Sequence, residues 1–188
     1  MRPRALLWSL ALLVAAGCGG DEPEKQKTKK KPEQGRKTVL TVRSNAFASG
    51  TRIPKRHAYK GEGDNVSPAL SWSGVPKKTA ELALICDDPD APVEEPWVHW
   101  VLYRIPPTAT GIPEGESAGG THGKNSWDEN AWGGPMPPKG HGTHHYHFKV
   151  FALALPVPLE AGATKQELLA AMQGHILAEG ELVGTYSR

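Results

Sequence analysis

The sequence predicts a mainly β domain, an antiparallel β-sandwich-like fold with one short helix near the C-terminus. Three observations carry this expectation. Short extended segments recur along the chain, most of its 17 prolines and 21 glycines fall between them, and a single stretch has a strong helical pattern. The extended segments are "TVLTVRS" (38–44), "PALSWS" (68–73), "ELALIC" (81–86), "VHWVLYRI" (98–105) and "HHYHFKVFAL" (144–153). The helical run is "TKQELLAAMQGHILAEG" (164–180), where Thr164 with Glu167 three residues on has the spacing of a capping box. A short final strand, "ELVGTYS" (181–187), is expected to return to the sheet. Turns this rich in Gly and Pro between strands suit two packed sheets.

The N-terminus is expected to lie outside this domain. Residues 1–17 place two arginines before an apolar run that ends in small residues, the layout of an export signal. The run is too short to cross ~30 Å of hydrocarbon as a stable helix. "LVAAGC" resembles a bacterial lipobox, which implies lipidation of Cys18, with an ordinary secretory signal cut nearby as the alternative. Residues 18–37 contain almost no apolar side chain and many lysines, so they are read as a flexible charged tether. The expected location is therefore a lipid-anchored protein on a bacterial membrane, periplasmic or outer face.

Residues 1–37 hold nine of the 22 basic residues but only four of the 20 acidic ones, which leaves residues 38–188 with thirteen and sixteen. A mildly acidic domain argues against nucleic acid as a partner, since such a partner selects a basic stripe. The domain's single cysteine, Cys86, cannot form an internal disulfide and reads as a small buried hydrophobe.

Strand alternation puts His144, Tyr146, Phe148 and Val150 on one face, with His145, His147 and Lys149 opposite. The same period puts Trp97, His99, Val101, Tyr103 and Ile105 together. If both faces line one core, His99 and His144 meet at its mouth, with Asp88 and Asp90 closing it from a neighbouring segment. Protonated His99 and His144, with Tyr146, would then donate to a phosphate, while the two carboxylates orient the histidines or receive an amine. His141, His145 and His147 fall off this face, and His57 and His122 have no evident partner.

The blocks "DDPDAP", "WVHW" and "GGPMPPKGHGTHHYHF" resemble the phosphatidylethanolamine-binding protein family, which includes the Raf kinase inhibitor proteins; the ending "GHILAEGELVGTYSR" resembles its bacterial branch. The resemblance covers most of residues 38–188. It implies a β-sandwich with a pocket for phosphate or a phosphorylated headgroup, lined by Asp88, Asp90, Trp97, His99, Pro138, His144 and Tyr146. It also implies that the backbone of Gly134 and Met136 borders the pocket. Met136 replaces the smaller or cysteine residues often found there, and "VEEP" lacks an aromatic present in some eukaryotic members, so kinase inhibition transfers poorly. The expected ligand is a phosphate-bearing small molecule or phospholipid headgroup, bound without a cofactor and without turnover. Two alternatives belong to other classes. One is an inhibitor or scaffold for a partner kinase or protease; the other is a zinc-dependent hydrolase built from the eight histidines and the acids. The spacing of "HGTHHYH" lacks the helical pair of a zinc protease.

Overall fold

A computed structural model describes residues 38–188; the expected signal (1–17), the lipidation site Cys18 and the tether (18–37) lie outside the described residues. The strands are β1 (Thr38–Val39), β2 (Thr41–Arg43), β3 (Leu70–Ser73), β4 (Glu81–Asp88), β5 (Trp97–Ile105), β6 (Gly111–Ile112), β7 (Thr121–His122), β8 (His144–Leu153) and β9 (Ile176–Tyr186), with helix α1 (Lys165–Met172) between the last two. They form a six-stranded sheet, ordered β1-β9-β8-β4-β5-β7, and a three-stranded sheet, ordered β2-β3-β6. All pairs are antiparallel except β1 with β9.

The segment expected as one N-terminal strand is two. Leu40 is buried, and its N–H donates to the Glu179 carbonyl, so the chain leaves the large sheet there and continues into the small one. The helical run also stops early. Its capping box forms as expected, with Thr164 Oγ1 accepting from the Glu167 N–H, but the helix ends at Met172 and Gly174 takes φ +80°. Residues 176–186 become the longest strand, paired with β8 from Leu153 to His144. On its inward face Gly180 stands against the Leu40 carbonyl, where a Cβ would come within 2.2 Å. Only glycine lets β1 and β9 approach so closely.

Two apolar layers flank the large sheet. Between the sheets lie Leu84, Cys86, Trp100, Leu102, Phe148 and Leu182, packed on Val42, Leu70 and Trp72. On the other face Ala83, Ile85, Val101, Tyr103 and Phe151 pack under Leu168 and Met172 of α1. Alternation along β4 thus sends its two terminal acids opposite ways. Asp88 follows Cys86 towards the inter-sheet side, and Asp87 follows Ile85 towards the helix.

Strict alternation fails in β5. From Trp100 to Val98 it advances two residues while β4 advances one, Cys86 to Asp87; a second such bulge lies between Ile105 and Leu102, where Arg104 takes φ +54°. The face expected to hold Trp97, His99, Val101, Tyr103 and Ile105 is therefore divided. Val101 and Tyr103 lie under the helix, Ile105 lies between the sheets, and His99 turns its ring onto Tyr146, 4.9 Å between centroids. His99 does reach the face of Tyr146. It gets there through the bulge, because a flat strand would have sent it with Val101.

Asp87 is buried and accepts from Lys165 Nζ at 2.5 Å and Lys149 Nζ at 3.0 Å, tying the first turn of α1 to the sheet. Burial alone would raise its carboxyl; the hydrogen bonds from Lys165 and Lys149 outweigh that and hold it below the usual carboxylate range. A depressed folded-state pKa contributes stability that is present at neutral pH and lost as pH falls below ~4. Asp87→Asn is therefore expected to cost about 2–3 kcal/mol at pH 7, because it leaves two ammoniums facing a neutral group. Urea unfolding at pH 7 and pH 3 should show the gap from wild type narrowing at the lower pH.

Candidate functional site

Three strand ends and two loops enclose a cavity of about 370 Å³ at the mouth of the inter-sheet core. Its polar end is built from Asp88, the last residue of β4, His99 in the β5 bulge, and His144 and Tyr146 at the start of β8. Its outer wall is apolar, with Pro92, Val93, Trp97, Met136 and Pro138; Val93 and Met136 are exposed at the rim. A volume of this size fits a small molecule, and the division of polar base from apolar rim fits an amphiphilic one.

Asp88 both shapes the turn and faces the cavity. Oδ1 accepts the Asp90 N–H at 2.9 Å, an Asx-type turn, and Oδ2 meets His144 Nδ1 at 2.7 Å. Since a carboxylate only accepts, His144 Nδ1 carries the proton of that bond. His144 Nε2 is 2.8 Å from Nδ1 of His141, so the loop histidine expected to stand apart is the outer member of an Asp88–His144–His141 chain. His99 directs Nδ1 to the Gly133 carbonyl at 2.6 Å, which makes Nδ1 the donor and leaves Nε2 facing the cavity side. Among the described residues that line the cavity, His99 Nε2, Tyr146 OH and Arg188 Nε are buried without a hydrogen-bond partner in the protein. Buried polar atoms of this kind are rare, and two on touching rings that line one cavity mark where a ligand's polar atoms belong.

Burial lowers the His99 pKa to about 4, against the weaker raising effects of the Gly133 carbonyl and Asp88. The expectation of a protonated His99 is therefore corrected: with its ring enclosed by Tyr146, Trp127 and Trp132, the neutral form wins. Burial, reinforced by Asp88, pushes the Tyr146 phenol far above its usual range. Tyr146 therefore remains a neutral donor. Burial also raises the Cys86 thiol, with Asp87 and Asp88 adding to the effect, so Cys86 is the inert hydrophobe expected.

Of the residues picked out from sequence, Asp88, Trp97, His99, Met136, Pro138, His144 and Tyr146 line the cavity. Asp90 does not. Its carboxylate turns outward to accept from the His145 N–H and to meet His145 Nδ1, both at 2.8 Å, because the Asx turn at Asp88 points it along the edge of β8. Gly134 also stands behind the wall: its N–H donates to Asn65 Oδ1, and a Cβ there would lie 2.0 Å from the His57 carbonyl. It is the seam by which the Pro-rich loop presses against residues 57–65. His57 and His122 do have partners: the Val66 carbonyl at 2.7 Å from His57 Nδ1, and the Trp100 indole N–H, which donates to His122 Nδ1 at 3.4 Å.

Sequence reasoning missed Trp127 and Arg188. Trp127 stacks on Tyr59 at 4.3 Å and meets Trp97 edge-on at 5.2 Å, and is held by Asn125 Oδ1, which accepts its N–H at 2.9 Å. The buried Asn125 before a Ser-Trp pair is the only local signal of that turn. Arg188 brings a guanidinium to the cavity wall, 3.3 Å from Glu62 Oε2 and 3.4 Å from the Pro137 carbonyl, and nothing in its neighbours announces this.

Residues 43–187 match the family model described as phosphatidylethanolamine-binding protein. A UPF0098 protein of Methanothermobacter thermautotrophicus is 43% identical over 155 residues, 79% of this chain and 99% of its own length. A Mycobacterium tuberculosis protein named as a candidate lipoprotein, LppC, is 37% identical over 191 residues, covering 94% of this chain and 92% of its own. Among solved structures, Escherichia coli YbcL, described as a member of the mammalian PEBP family, superposes with TM-score 0.75 at 33% identity, covering 79% of this chain and 98% of its own. The Chlamydia trachomatis candidate PEBP homologue CT736 gives TM-score 0.74 at 38% identity, covering 80% and 99%. A domain-wide match in sequence, a sandwich of the same shape and a pocket at the strand ends lead to one conclusion: the chain belongs to the phosphatidylethanolamine-binding protein family.

Proposed function

We propose that this protein binds a small phosphate-bearing molecule or phospholipid headgroup in the Asp88–His99–His144–Tyr146 cavity, and holds it without converting it. One observation carries the reading: the unpartnered buried atoms His99 Nε2 and Tyr146 OH stand together at the base of a cavity whose rim is apolar, and a third, Arg188 Nε, belongs to its wall. A phosphorylated headgroup supplies oxygen atoms for the base and a less polar remainder for the rim. No group at the base is an activated nucleophile. The Tyr146 phenol is pushed far above its usual range and the Cys86 thiol is buried beneath it with its own pKa raised. Trp97 and Trp127 supply rigid walls, and the Arg188 guanidinium supplies a fixed positive charge at the wall.

Calorimetric titration with phosphoethanolamine at pH 6 tests this, with saturable one-to-one binding as the expected result. Tyr146→Phe should weaken that binding at least tenfold, the loss of one hydrogen bond to a charged group. Its stability should stay within about 1 kcal/mol of wild type, since the hydroxyl lies near Asp88 without a hydrogen bond of full geometry in the protein. Tyr103→Phe is the contrast. That hydroxyl donates to the Glu160 carbonyl and accepts the Ala163 N–H, so its removal should cost about 1–2 kcal/mol while leaving binding intact. No heat with wild type, or equal affinity in Tyr146→Phe, would discard the proposal.

The same reading places the domain at a membrane through a lipid on Cys18, with residues 18–37 as spacer. Support comes from the lipobox-like "LVAAGC" and from LppC, whose similarity extends beyond the domain into the N-terminal segment. Expressed in a bacterium, the wild-type chain should fractionate with membranes and Cys18→Ser with the soluble fraction. Identical fractionation would refute the anchor.

A further inference from the structure

The cavity base has an excess of acceptors. The Nδ1–H of His99 is spent on the Gly133 carbonyl, which can only accept, so the neutral ring offers its Nε2 lone pair. Asp88 is a carboxylate already accepting from His144 and from the Asp90 N–H. Both nitrogens of His144 are engaged, Nδ1 with Asp88 and Nε2 with His141, so it has no free donor for a ligand. Two buried side-chain donors on the cavity have no hydrogen-bond partner within bonding geometry, the Tyr146 hydroxyl at the base, which lies near Asp88, and Arg188 Nε at the wall. Arg188 is at the wall, with Nε beside Glu62 and an Nη donating to the Pro137 carbonyl.

Resting on the phosphate-binding reading above, we propose that the ligand must bring its own proton: the site takes the monoanion of a phosphate monoester, whose P–O–H donates to His99 Nε2 while another of its oxygens accepts from Tyr146. A phosphate diester has no such proton, and its oxygen lone pairs would meet the lone pair of His99 beside the charge of Asp88.

The alternative is that the protein protonates His99 when an anion arrives. The groups acting on that ring are Asp88 and, more distantly, Asp87 from β4, Tyr146 from β8, the backbone of Gly133 and Gly134 and the indoles of Trp127 and Trp132; His144 and Arg188 also line the cavity, with His141 bonded to His144. With a His99 pKa of about 4 in the empty cavity, charging the ring at pH 7 before an anion arrives costs about a thousandfold. Protonating a phosphate monoester, whose second pKa is ≈ 6, costs only about tenfold at that pH. Before the two groups interact, the ligand is the cheaper carrier.

The test compares phosphoethanolamine, a free monoester, with glycerophosphoethanolamine, a diester, and with phosphatidate in phosphatidylcholine vesicles, a monoester on a lipid. Titrations from pH 5.5 to 8 should show monoester affinity falling about tenfold per pH unit above pH ~6. The diester should bind at least tenfold more weakly throughout. The ³¹P shift of bound phosphoethanolamine should remain that of the monoanion at pH 8. Whether the free or the vesicle monoester binds more tightly identifies the source. His99→Gln, whose amide can turn an N–H to the cavity, should bring the diester to within about threefold of the monoester. A diester bound as tightly as the monoester, with proton uptake by the protein, or a bound monoester with the ³¹P shift of the dianion, overturns this inference and leaves the pocket reading standing. Absence of binding by all three probes overturns both.

Discussion

The structure depends on how two adjacent carboxylates are buried at the end of one strand. Asp87 and Asp88 end β4, a strand buried along its whole length, so neither can turn to solvent without breaking the sheet. The pleat sends them to opposite faces, and each face must supply a counterpart because an unpaired buried charge costs several kcal/mol. The helix side supplies Lys165 and Lys149; the cavity side supplies His144 and a backbone N–H. One acid therefore fastens α1 to the sheet and its neighbour organises the cavity. The two partner sets differ in kind. Two lysines hold Asp87, whereas Asp88 is held by a histidine and a backbone N–H and lines the cavity.

The rest of the cavity follows from that placement and from a single extra residue. The bulge between Val98 and Trp100 turns His99 out of the helix-side layer and into the space between Tyr146 and the Trp127–Trp132 loop. That loop is held close by Gly134, whose missing Cβ admits the His57 carbonyl, and by Asn125, whose side-chain oxygen also accepts the Glu129 N–H. Rigid aromatic walls and a Pro-rich rim need little ordering when a ligand binds. A ligand meets a base and walls whose positions are already set by packing.

Much of this was legible in the sequence, and the rest was hidden for identifiable reasons. The period of two in β8 correctly separated His144 and Tyr146 from His145 and His147, because that strand pairs with β4 without interruption. Thr164 and Glu167 announced the helix start because a capping box is a local device. The end of α1 was obscured. "QGHILAEG" continues the helical spacing, and only the demand of β8 for a partner on its far side turns those residues into β9. The bulges of β5 leave no mark in its composition, so periodicity grouped His99 with Val101 and Tyr103. Asp90 was placed in the pocket by motif, yet its direction is decided by the turn its neighbour makes. Arg188 and Trp127 arrive from segments far apart in the chain, which a local pattern cannot register.

The same burial that makes His99 invisible as a charged group makes it informative as a neutral one. An exposed imidazole would change protonation to suit any anion, and its tautomer would say little about the ligand. Enclosed by three aromatic rings and fastened at Nδ1, this ring has one tautomer and one free lone pair, so its demand is specific. Tyr146 beside it retains its proton across the physiological range and can satisfy one acceptor. A donor and an acceptor on touching side chains, next to a carboxylate already occupied by histidine, describe a site that reads hydrogen positions as well as charge. Discrimination of this kind is steep, because the wrong partner leaves buried polar atoms unpaired where water cannot easily replace it. The apolar rim adds binding energy for any ligand with a carbon tail but distinguishes such tails poorly. On the proposed reading, selectivity resides at the base, in the hydrogen-bonding atoms of His99, Tyr146 and Asp88.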